Sequence, residues 1–190
     1  MFRMSALSIL LSIWAGFAAA IDAPPSMRTY VESQVMTWVS DPQVIAAVRS
    51  QNMRTESASQ SDIDGWDKAW RAQVGQQSQP LLEQVLQTPV SEFLQEHVAA
   101  SSGQITEIFV MDMRGLNVAS SGVTSDYWQG DEAKFQKTYP MGNGAIFVDE
   151  IEFDESTQAY SGQVSVALSD PATGEVIGAV TVGLNAELFF

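Results

Sequence analysis

Cysteine is absent from this 190-residue chain, which excludes both a disulfide framework and a thiolate metal site. Histidine is nearly absent. The one copy, His97, lies in a helical run with Val90, Phe93, Leu94 and Val98, where a ring serves as flank or core more readily than as a general base. A Ser-His-Asp hydrolase would have to use it, and no Gly-x-Ser-x-Gly elbow accompanies it. Positive charge is also scarce: 9 Lys+Arg face 23 Asp+Glu, a formal net charge of -14 at pH 7. So acidic a chain is repelled by phosphate backbones, and nucleic acid is not an expected partner. The acidic run Asp149, Glu150, Glu152, Asp154, Glu155 lacks the Asp-x-Asp-x-Asp-Gly spacing of a calcium loop and reads as a solvated edge. Neither a metal nor a cofactor is expected.

Long apolar runs are confined to the start. Arg3, the apolar stretch Ala6 to Phe17 and the ending Ala18-Ala19-Ala20 form the pattern of a secretory signal peptide over residues 1–20. The stretch is shorter than the ~20 residues a spanning helix needs, although an uncleaved anchor is the alternative. The remainder, 45% hydrophobic over the whole chain, predicts a single domain at 21–190, secreted or periplasmic, with a helical part (21–103) and a sheet part (104–190).

In the helical part, Met27, Val31, Val35 and Trp38 repeat every three or four residues. Asp41-Pro42 gives a cap and a first-turn proline, and Ile45 and Val48 continue the apolar face. The prediction is one long helix broken or kinked at Asp41-Pro42. Arg54 to Asp64, rich in Ser, Gln and Asp, is expected to be a loop. Trp66, Trp70 and Val74 mark a short helix ending at Gly75, and Pro80 to Leu86 and Pro89 to Ala100 two more, the last capped by Thr88 and stopped at Ser101-Ser102-Gly103.

Five strands are expected after that: Ile105 to Asp112, Asn117 to Ser121, Ala145 to Asp154, Tyr160 to Ser169 and Glu175 to Asn185. They read as a meander interrupted after its second strand. Val164, Val166 and Leu168, then Val180, Val182 and Leu184, alternate into an apolar face that should pack on the long helix. The other face carries Gln163, Ser165 and Thr181, small and polar, either solvated or roomy enough for a ligand. Asp149 interrupts the row Phe147, Ile151, Phe153. A carboxylate there needs a wet pocket or a neighbouring donor.

The interruption, Thr124 to Tyr139, concentrates the candidate chemistry. Tyr127 and Trp128 offer flat faces with polar tips, and Asp131, read as a helix cap, lies three residues before Lys134. The alternative is a plug: Trp128 and Phe135 seat a helix on the sheet and Lys134 pairs with Asp131. As a ligand site, the candidates are Tyr127, Trp128, Asp131, Lys134, Phe147, Asp149, Gln163, Ser165 and Thr181, with Tyr127 and Trp128 expected on the face opposite the long helix.

The order of an export signal, the amphipathic helix ending in Ser40-Asp-Pro to Asn52, the run Asp112-Met-Arg-Gly-Leu-Asn-Val-Ala-Ser-Ser121 and Asp170-Pro171, Gly174, Ile177-Gly-Ala179 resembles an extracytoplasmic single Cache (PAS-like, PDC) sensor domain. The resemblance covers nearly all of residues 21–190. It implies an α+β fold, with a long N-terminal helix and further helices on one face of a five-stranded antiparallel PAS-like sheet. It also implies non-catalytic binding of a small polar metabolite (an organic acid, amine or amino acid) between the sheet and the segment that interrupts it. Such domains usually sit in membrane receptors. With no output domain after Phe190, signalling would be expected to run through a separate membrane-bound signalling protein. Two other readings stay open: a structural or interaction protein with a vestigial pocket, and a carboxylate-dependent hydrolase using a pair such as Asp131 and Asp149.

Overall fold

Pro25, Pro42, Pro80 and Pro89 each open a helix, where the missing N–H has no intrahelical partner to lose. The computed structural model describes residues 21–154 and 159–190; the expected export signal lies outside them. α1 spans Pro25–Ser33 and α2 Pro42–Thr55. They are not one long helix kinked at Asp41-Pro42. The break comes earlier, in a 3-10 turn at Val35–Thr37, and Asp41 then caps a fresh start by accepting from the Gln43 N–H at 2.9 Å. The expected loop Arg54 to Asp64 is shortened from both ends, by α2 up to Thr55 and by α3 (Gln60–Gln73) from Gln60. A capping box explains that difference. The Ser59 hydroxyl accepts from the Asp62 N–H at 3.3 Å, and the Asp62 carboxylate accepts from the Ser59 N–H at 2.9 Å. α4 (Pro80–Leu86) and α5 (Pro89–Ala100) follow as expected, α5 with Thr88 as its cap.

The sheet contains β1 (Ile105–Met111), β2 (Asn117–Ser120), β3 (Ile146–Val148), β4 (Glu152–Asp154), β5 (Ala159–Ser169) and β6 (Val176–Asn185). All pairings are antiparallel, in the order β2-β1-β6-β5-β3, with β4 also on β5. Six strands replace the expected five because Ala145 to Asp154 divides at Asp149-Glu150. Asp149 donates its N–H to the Gln163 carbonyl at 2.9 Å, and Ile151 turns to bridge with Ile21. Ile151 therefore enters the helix-side core, while Phe153 is left half exposed. The apolar row expected through Asp149 does not form. Nor is the sheet a simple meander. β1 pairs with β6, and β2 and β3 lie on opposite edges, so residues 121–145, including α6 (Ala133–Gln136), cross the whole face between them.

The α+β, PAS-like arrangement is otherwise the one expected, with helices layered on one side. Met27 and Val31 of α1, Val44 and Val48 of α2 and Leu94 of α5 meet Val164, Val166, Val180 and Val182, all at most 1% exposed. Each such side chain stabilises the fold by roughly 1.5–3 kcal/mol on burial. Among the described residues no helix is long and apolar enough to cross a membrane. His97 is a packing residue: it stacks on Trp38 at 4.1 Å and meets Phe93 edge-on at 4.6 Å. Burial lowers its pKa.

Candidate functional site

The sheet face turned away from α1 and α2 is built from one row of aligned residues. Phe109, Thr181, Ser165 and Phe147 stand side by side across β1, β6, β5 and β3. The Ser165 and Thr181 hydroxyls lie 2.9 Å apart and are fully buried. Each satisfies the other, which is what permits polar groups there. Above them α6 lays Phe135 against Phe109, Met111 and Ala179, with Tyr139 stacked on Phe135 at 5.2 Å.

Beside this aromatic cover the face stays open as a cavity of about 330 Å³, lined by Glu132, Lys134, Asp149, Glu150, Glu152 and Gln163 among others. Lys134 is its one cation, with its side chain 13% exposed and its Nζ 2.9 Å from the Glu132 carboxylate. The same Nζ lies 5.4 Å from the Phe109 ring centre, a cation–π distance. Gln163 donates to the Glu107 carboxylate at 2.8 Å. Asp149 is half-buried and accepts from the Glu150 N–H at 3.0 Å. It thus has a donor and lines a pocket as well. Phe147 borders the region with Lys137 over its ring at 4.3 Å. The structure therefore gathers Lys134, Asp149 and Gln163 in one cavity, whereas the expected site residues Ser165 and Thr181 are fully buried and do not line it.

Tyr127, Trp128 and Asp131 are elsewhere. Residues 127–129 run alongside the β1–β2 turn. The Asn117 N–H donates to the Tyr127 carbonyl at 3.0 Å and the Gln129 N–H to the Gly115 carbonyl at 2.8 Å. Gly115, at φ +79, comes so close to Gly130 that a Cβ would lie 2.6 Å from its Cα, a position only glycine fits. Asp67 of α3 fixes the segment: one carboxylate oxygen accepts from the Tyr127 and Trp128 N–H groups at 3.0 and 3.1 Å, and the other pairs with Arg71. Tyr127 accordingly stacks on Trp70 at 5.5 Å and faces a cavity shared with Gln51 and Thr55 of α2. This overturns the expectation that it lies opposite the N-terminal helices. Trp128 donates its indole N–H to the Arg114 carbonyl at 2.8 Å and, with Asp131, lines a third cavity. Asp131 does not cap α6, whose N-cap is Glu132, and Glu132 rather than Asp131 pairs with Lys134.

Asp112, at the end of β1, escaped the list of candidates and anchors the turn beside Tyr127. Fully buried, it accepts from the Arg114 and Leu116 N–H groups at 2.8 and 2.9 Å, from Thr55 at 2.8 Å and from Gln51 at 3.1 Å. Burial nevertheless raises its pKa above the ordinary 3.8. The turn pattern Asp112-x-x-Gly115 was the sequence signal for it. Asp67, placed between Trp66 and Trp70 and four residues before Arg71, carried only the signal of an ordinary helix ion pair.

No family model and no curated protein matches the chain. The solved structures it is similar to include sensor domains. The Vibrio cholerae histidine kinase DctB sensor domain shares 11% identity, covering 85% of this chain and 51% of that one, at a TM-score of 0.47. The sensory domain of a Campylobacter jejuni chemoreceptor with isoleucine bound shares 14%, covering 87% and 65%, at 0.40. The ligand-binding domain of the Pseudomonas aeruginosa amino acid chemoreceptor PctC in complex with GABA shares 12%, covering 67% and 54%, at 0.39. The chain thus spans 51% to 65% of the length of these proteins. Likeness at this level assigns neither ligand nor partner to this chain.

Proposed function

We propose that this is a non-catalytic, small-molecule-binding sensor module whose ligand sits between α6 and the Gln163 end of β5. The observation that supports the reading is the gathering of Lys134 with Asp149 and Gln163 in one cavity. Convergent polar groups in one concave site suit a small polar metabolite. The balance of charge narrows its class. Glu132, Asp149, Glu150 and Glu152 outnumber Lys134, whose charge Glu132 already engages, so an amine or the ammonium end of an amino acid is favoured over an organic acid. A carboxylate on the same ligand would meet Lys134.

Placement outside the cytoplasm rests on Met1–Ala20 as an export signal, and signalling would pass to a separate membrane-bound protein. Catalysis by the pair Asp131 and Asp149 has no support in the geometry, because the two line different cavities. The test is calorimetric titration with a panel of small amines, amino acids and organic acids. Asp149→Ala should weaken binding of the active compound about tenfold or more, on the order of 1.4 kcal/mol, with circular dichroism unchanged. Failure of every amine and amino acid to bind the wild type, or unchanged affinity in Asp149→Ala, would refute the placement.

A further inference from the structure

Another cavity lies away from that site, among α2, α3 and α4. It measures about 460 Å³, and its wall includes Gln51, Arg54, Trp66, Leu81, Val85 and Tyr127. Its chemistry differs from that of the cavity under α6. Leu81, Val85 and the Trp66 ring make one side apolar, and Trp66 is 37% exposed although it sits on a helix whose other tryptophan, Trp70, is fully buried. Gln51, Arg54, Thr55 and Tyr127 supply polar groups to the same cavity. Among the described residues the Tyr127 hydroxyl has no hydrogen-bond partner, and no carboxylate lies within ion-pair distance of Arg54, whose guanidinium touches only the Ser50 hydroxyl at 2.8 Å. Burial and the neighbouring Asp112 push the Tyr127 phenol up to about 12, against a smaller downward pull from Arg54. The phenol is therefore a proton donor throughout the physiological range, within the field of a free guanidinium. A guanidinium and a phenol O–H both donate, and what both can serve at once is an acceptor with two oxygens.

We infer that the cavity among α2, α3 and α4 is a second ligand site, taking a small carboxylate with a flat apolar body. The carboxylate meets Arg54 and the Tyr127 hydroxyl, and the body lies against Trp66, Leu81 and Val85. The site is independent of the one under α6, because no residue lines both cavities. The chain's net charge of -14 slows the approach of an anion, so recognition comes from contact rather than long-range steering.

Phenylacetate is the probe, with phenylethylamine as its charge-reversed counterpart, each titrated at millimolar concentration into the full mature chain and followed by calorimetry and tryptophan fluorescence. Phenylacetate should bind with one site per chain and perturb tryptophan emission. Arg54→Gln, a change at an exposed position, should weaken it about tenfold or more, Tyr127→Phe should weaken it less, and Asp149→Ala should leave it unchanged. Circular dichroism establishes that each variant is folded. If Tyr127→Phe proves unfolded, Trp66→Ala replaces it, with loss of affinity again expected. No binding of phenylacetate, equal binding of phenylethylamine, or undiminished affinity in Arg54→Gln would each overturn the assignment. Loss of binding in Asp149→Ala would move the probe to the α6 cavity and overturn it too.

Discussion

The two faces of the sheet receive their covers differently. On one, three helices bring branched and aliphatic side chains onto Val164, Val166, Val180 and Val182, and almost nothing there is exposed or polar. On the other, a single four-residue helix holds Phe135 over Phe109 and Met111, two hydroxyls are buried against each other, and the remaining area is a charged cavity. A dry face fixes the fold, since burial of apolar area is its main source of stability. A partly covered one leaves side chains whose removal changes recognition more than folding. The chain separates these duties by strand alternation, placing them on the same strands with opposite parity.

Removing one side chain from each face tests that separation. Leu184→Ala, fully buried on the helix side, should cost about 3 kcal/mol in urea unfolding and leave ligand affinity in the folded protein unaltered. Phe147→Ala, half-buried on the other face, should cost only about 1 kcal/mol and reduce affinity. Equal stability losses would mean that the two faces contribute alike. Next in size is the hydroxyl pair. Ser165→Ala should cost about 1–2 kcal/mol by stranding the Thr181 hydroxyl, while adding Thr181→Val should recover part of that loss, because replacing both partners removes the stranded group. Additive losses in the double mutant would mean that the two hydroxyls do not depend on each other.

The smallest effect concerns pH. Burial holds the Asp112 carboxyl above its ordinary 3.8, so the folded protein keeps a proton that the unfolded chain releases. The stability gained this way is fully present below 3.8 and is lost as pH rises through the raised folded value. Asp112→Asn should remove that slope. Unfolding midpoints of wild type and variant, compared from acid to neutral pH, should diverge as pH rises across this window, and parallel curves would show that Asp112 does not contribute.

Much of the layering was legible because it is local. Asp41-Pro42 and Thr88-Pro89 announce helix starts within a few residues, and valine alternation on β5 and β6 announces which side is buried. The Ser59 capping box was equally local but lay within a polar stretch whose composition resembled a loop. Strand adjacency was less accessible, since no nearby residue says that β1 will choose β6. Of the candidate site, Lys134, Asp149 and Gln163 do share a cavity. Tyr127 and Trp128 were misplaced because a carboxylate 60 residues away, Asp67, takes both of their backbone N–H groups. Aromatic character was visible in the sequence, and the acceptor that aims it was not.

The pairing of β1 with β6, in which Ile105 meets Leu184, also orders events during synthesis. When β1 leaves the ribosome, only the β2 hairpin is available to it, and an isolated two-stranded hairpin is marginal in water. Its other edge waits until Val176–Asn185 has been made. Until then Ile108 and Val110 lie on an unpaired strand with open N–H and C=O groups, the condition under which chains aggregate or are held by chaperones. The sheet therefore cannot close while its last strand is still missing.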